Sequence, residues 1–194
     1  MLATADIDDS GLREAAAQHD GRFLMPNGLP FTTPGPGTSP NIAFVSQWSN
    51  YPASLIVPLA GHARHLYLLM AGSTNWMQSR LDNGEVVVTY ADGTHARLPL
   101  VNPLNWWPID QDYFIDDFQF ARPEPIPPRV DLKTGRVRLL DPVQFEGLGK
   151  SVPGGAATVL DLALDPTKPL QSLTVHAFAN EVVIGLMSAT LERP

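Results

Sequence analysis

Residues 102–120, NPLNWWPIDQDYFIDDFQF, hold two adjacent tryptophans, a tyrosine, three phenylalanines and four aspartates. Indole faces stack on the apolar C–H face of a pyranose, and carboxylates accept hydrogen bonds from its hydroxyls. Pro108 biases Trp107 towards an extended conformation, and neighbours in an extended chain point opposite ways. One indole of the pair is therefore expected to plug a core and the other to face outward. Trp107 is the expected stacking ring, with Asp110, Asp112 and Tyr113 beside it. The competing reading is that both rings simply cover the end of the fold. Asp110 and Asp112, two apart, also resemble part of an oxygen-ligated calcium loop, although the glycine and late glutamate of an EF-hand are missing. A third use of the same acids is a glycosidase carboxylate pair drawn from 110–117.

A second cluster lies at 71–84, AGSTNWMQSRLDNG. It follows an apolar run, and loops held by rigid strands are where binding groups gather. Trp76, Gln78 and Arg80 are its candidate sugar-contacting residues, while Ser73 and Thr74 read as turn formers. The five histidines offer no helical zinc spacing, and no nucleophile elbow, phosphate loop or dinucleotide fingerprint follows a strand. The absence of cysteine excludes disulfides and thiolate chemistry. No cofactor is expected beyond a structural calcium ion.

These residues need a scaffold, and composition limits which one. The 194 residues include 19 prolines and 15 glycines, spread so that the chain is cut into short segments. Together with 44% hydrophobic and only 17% charged residues, that rhythm predicts an all-β, antiparallel two-sheet sandwich, jelly-roll or galactose-binding-like. Extended runs are expected at 41–48, 54–59, 64–72, 85–90, 95–101, 113–120, 136–140, 158–164, 170–178 and 181–192. In 158–164, Leu160, Leu162 and Leu164 share the face expected to be buried. Asp92-Gly93, between two β-rich runs, predicts a tight hairpin with positive φ at both residues. Residues 1–40 read as an N-terminal arm, with a short helix at 10–18 capped by Ser10 and an irregular stretch at 26–41. Residues 41–194 read as one sandwich domain, with 122–135 as a Pro-rich link.

The formal net charge of −7, without any Lys/Arg cluster, argues against nucleic acid or a membrane surface as partner. No apolar run approaches the roughly 20 residues of a membrane span. The N-terminus lacks the basic and apolar regions of a signal peptide, which leaves a periplasmic or secreted parent protein open.

The segments PLAGHARHLYLLMAGSTNWMQS, VVVTYADGT and LPLVNPLNWW, with the closing LQSLTVHAFANEVVIGLMSATL, resemble the β-sandwich modules attached to large bacterial glycoside hydrolases. One such family is known only as a domain of unknown function. The resemblance covers about 41–120 and 158–192. It implies a non-catalytic accessory module that binds sugar or braces a catalytic domain, with a glycan or that domain as partner. It supplies no catalytic residue. A small jelly-roll glycosidase or isomerase, and a structural subunit whose Pro-rich arm reaches a neighbour in an oligomer, are the rival expectations.

Overall fold

The computed structural model describes residues 7–74, 76–112, 126–139 and 150–194. In chain order the elements are α1 (Ser10–Ala17), β1 (Arg22–Leu24), β2 (Pro30–Thr32), β3 (Ala43–Ser46), β4 (Ser54–Pro58), β5 (His65–Ser73) and the 3-10 turn Trp76–Gln78. There follow β6 (Asp82–Tyr90), β7 (His95–Val101), β8 (Gln111–Asp112), β9 (Arg129–Asp131), β10 (Val137–Arg138), β11 (Lys150–Ser151), β12 (Ala156–Ala163), β13 (Leu170–Ala177) and β14 (Val183–Glu192).

Two sheets face each other. One has six strands in the order β10-β9-β12-β5-β14-β3, the other four in the order β4-β13-β6-β7, and the ladders are antiparallel. The protein is an all-β sandwich, as composition and turn spacing predict. Leu66, Leu68 and Met70 of β5, Leu160 of β12 and Ile184 of β14 meet Val86 and Val88 of β6 and Leu173 and Val175 of β13 in the core between the sheets. Along β5, β6 and β13 the residues of this core alternate with ones that point away, as strand geometry requires.

A second core lies on the outer face of the six-stranded sheet. Leu12 and Ala16 of α1 and Phe23, Met25 and Phe31 of the β1–β2 hairpin pack against Leu69, Ala71, Val130, Ala157 and Val159. The arm is therefore a cover for its own sheet. Helix α1 forms where expected, but Ser10 is its first residue rather than its cap. The cap position is Asp9, which makes no capping bond, while the Ser10 hydroxyl donates to Asp8 Oδ1 at 2.6 Å. Strand β2 lies inside 26–41, a stretch expected to be irregular, and β9 lies inside the expected Pro-rich link. Phe31 and Val130, each fully buried, supply the reason: one apolar residue seated in a core organises a three-residue strand despite flanking prolines.

The hairpin at Asp92-Gly93 is present with a different turn. Only Gly93 has positive φ, at 82°, and Tyr90 N–H donates to Thr94 O while Gly93 N–H donates to Tyr90 O. That is the three-residue connection in which a type I turn is followed by a left-handed residue. Asp92 stays in ordinary backbone because its Oδ1 accepts from the Thr94 amide and hydroxyl at 2.9 and 2.6 Å. The strand expected at 113–120 lies outside the described residues.

Candidate functional site

The two sequence clusters meet at one end of the sandwich. Residues 74–81 join β5 to β6, and the segment 102–110 follows β7. Two buried asparagines tie them down. Asn83 Nδ2 donates to Gln78 O at 2.7 Å and Leu81 O at 3.1 Å, and Asn83 Oδ1 accepts from Thr74 Oγ1 at 2.5 Å. The Asn83 carbonyl takes the amides of Phe178 and Ala179, so the β13–β14 connection is fastened to the same residue. Asn102 Oδ1 accepts from Ser79 Oγ at 2.9 Å, its carbonyl from the Arg80 amide at 2.8 Å, and its Nδ2 donates to Trp106 O at 2.9 Å. Ser79 and Asn102 form a lone parallel bridge, and the Asn102–Pro103 peptide is cis.

That anchorage aims the Trp pair. Trp106 belongs to the core between the sheets and lies over Gly72, where a Cβ would come within 2.7 Å of its ring. Trp107, the ring expected to face outward, is only 3% exposed. The chain beyond it is laid along the six-stranded sheet, Ile109 N–H donating to Gly72 O and Ala156 N–H to Ile109 O, each at 2.7 Å. Both indoles are therefore buried, although neighbours in an extended chain point opposite ways. No open Trp107 face is left for a sugar to stack on.

Asp112 is likewise committed. It is 3% exposed; Oδ1 accepts from Arg129 Nη1 and Oδ2 from Arg138 Nη1. Arg129 also donates to the carbonyls of Gln111, Pro108 and Ala156 at 2.8, 3.0 and 2.8 Å, and Arg138 Nε to Asp131 Oδ1 at 2.6 Å. Burial pulls the Arg129 guanidinium below its ordinary range, against the attraction of Asp112. Burial acts the same way on Arg138, but Asp112 and Asp131 outweigh it and hold that group above its ordinary range. Buried and with each oxygen on an arginine, Asp112 serves the fold rather than an open site for sugar or calcium. Among the described residues no group of three or more His, Asp or Glu is placed to hold a metal ion.

Of the other expected residues, Gln78 is half-buried and gives its carbonyl to Asn83, Arg80 is exposed with φ of 59°, and Asp110 is half-buried with its carbonyl on the Val152 amide. Trp76 opens the 3-10 turn, and its side chain lies outside the described atoms, as does the whole of Tyr113. Beside the Asn83 anchor three apolar side chains stand out among exposed Arg80 and Asp82: Met77 is 86% exposed, Leu81 42% and Phe178 49%. Sequence reading missed Asn102, Arg129 and Arg138. Arg129 and Asp131, two apart, share a strand face, but no spacing in the sequence ties Arg129 or Arg138 to Asp112.

No family model, curated protein or solved structure matches the chain. Among the described residues no helix is long and apolar enough to cross a membrane.

Proposed function

We propose that this protein is a non-catalytic β-sandwich module of a carbohydrate-active assembly, and that it braces a glycoside hydrolase catalytic domain. The carbohydrate context rests on the resemblance of the AGST, YADGT and NPLNWW segments to such modules. Bracing is favoured over sugar gripping by one observation. Trp107 and Asp112 are consumed inside the fold, while the loop end presents Met77, Leu81 and Phe178 on a backbone fixed by Asn83. Exposed apolar side chains on a rigid frame suit a protein contact, because little ordering entropy opposes docking.

Calorimetry separates the readings. Plant and bacterial oligosaccharides titrated into the folded protein are expected to give no saturable heat. A glycoside hydrolase catalytic domain encoded beside it is expected to bind, and Met77→Asp with Leu81→Asp to abolish that binding. Saturable glycan heat that vanishes in Arg80→Ala or Trp76→Ala would replace bracing with a sugar site built from Trp76, Gln78, Arg80 and Asp110.

A further inference from the structure

The chain contains two Asn-Gly pairs, 27–28 and 83–84, and the fold treats them in opposite ways. Asn-Gly is the dipeptide most prone to intramolecular deamidation, because glycine carries no Cβ to shield its own amide nitrogen. Asn27 sits at the tip of the β1–β2 hairpin, exposed, as are Pro26 and Gly28. Gly28 has φ of 83° and open space where a Cβ would stand. Asn27 Oδ1 accepts from the Leu29 amide at 3.2 Å, so the carboxamide is folded over the Gly28 peptide, next to the nitrogen that must attack it. That nitrogen donates to Met25 O at 2.8 Å, within a surface turn that opens at little cost.

Asn83 is the counterexample. It is fully buried, its carboxamide is held by Thr74, Gln78 O and Leu81 O, and Gly84 is pressed against the His176 carbonyl, 2.2 Å from where a Cβ would lie. Neither the rotation of the carboxamide nor the water needed to finish the reaction is available there.

We infer that Asn27 is a self-modification site that turns into aspartate and isoaspartate in the folded protein. The Gly28 amide nitrogen, having given up its proton to solvent base, attacks Asn27 Cγ. The Cγ–Nδ2 bond breaks and ammonia leaves, giving a five-membered succinimide. Water then opens the ring at either carbonyl, yielding an ordinary aspartyl or an isoaspartyl linkage at that position. The isoaspartyl product adds a methylene to the backbone between Met25 and Leu29, and both products add one negative charge. Phe23 pairs with Phe31 and Leu24 with Pro30 directly behind that turn, and Phe23, Met25 and Phe31 all seat in the outer core. A longer backbone at the tip loosens the cover over the six-stranded sheet.

The test is incubation of the native protein in warm, mildly alkaline buffer, followed by ion exchange and peptide mapping with mass spectrometry. The expected result is a new species shifted by one negative charge, with amide-to-acid conversion and isoaspartate at 27 and an intact amide at 83. In denaturant both positions should convert at similar rates. The shifted species should vanish in Asn27→Gln and, once isolated, should be cleaved faster by protease between residues 22 and 41. An amide that persists at 27 in the native protein, or conversion at 83 that keeps pace with it, overturns the assignment. Equal protease sensitivity of the two isolated forms overturns its effect on the hairpin.

Discussion

Asp112 shows what a side chain's type conceals. In the sequence it is one of four closely spaced acids beside tryptophans, and that pattern fits sugar, calcium or catalysis equally well. Its role is fixed by Arg129 and Arg138, 17 and 26 residues further along, which no local spacing brings to notice. Removing its charge leaves two guanidiniums close together, one of them almost wholly buried. Breaking a buried ion pair from one side costs about 3–5 kcal/mol. Asp112→Asn is therefore expected to lower unfolding free energy by about that amount in denaturant titration. A variant as stable as the parent would mean that the pair contributes nothing to the fold. Restoration of much of the loss by adding Arg138→Met would show that repulsion between the two cations is the cause.

Individual strands are far easier to read than the arm. Runs such as LYLLM and EVVVTY alternate or fill a core, and their β-branched and aromatic residues belong in strands whatever surrounds them. The arm offers no such period, and besides its apolar seats in the outer core it is held by a long-range polar fixture. Arg13 Nε donates to Asp9 Oδ2 at 2.8 Å, and its two Nη groups donate to Gly35 O at 3.0 Å and Ser39 O at 2.6 Å. Asn41 Nδ2 donates to the same Asp9 oxygen at 2.8 Å. A helix residue thus pins the later half of the Pro/Gly-rich stretch. Arg13→Ala should free that stretch, making 33–41 the first site of limited proteolysis, with a loss of about 1–3 kcal/mol from the unpaired carbonyls and Asp9. Acid should act on the same fixture. Burial pushes the Asp9 carboxyl up, but bonds from Arg13 and Asn41 outweigh it and hold it below the ordinary carboxylate range. Its contribution is therefore complete above the ordinary pKa of about 3.9 and is lost as pH falls through the lower folded-state value. Proteolysis at 33–41 should rise over that acid interval in the parent protein and show no such step in Arg13→Ala.

For the molecule as a whole, the number of layers decides how far strand patterning can be trusted. The sandwich is legible because inward and outward residues differ in the four-stranded sheet: along β7, Leu100 is buried while His95, Arg97 and Pro99 are exposed. Where the arm covers the six-stranded sheet the contrast fails, since Val159 faces the arm and Leu160 faces the other sheet, and both are buried. The arm accordingly acts as a third layer, and removing residues 1–40 would bare Leu69, Ala71, Val130, Ala157 and Val159 together. At about 25 cal/mol per Å² of apolar surface, even a few hundred Å² uncovered amounts to several kcal/mol, a large part of a typical domain's stability. The 41–194 fragment is thus expected to unfold at lower denaturant, or to associate through the bared face in light scattering. Adding the 1–40 peptide in trans should reverse either effect. A monomeric fragment with the parent's unfolding midpoint would show instead that the outer core is dispensable and that the sandwich stands on the core between its two sheets.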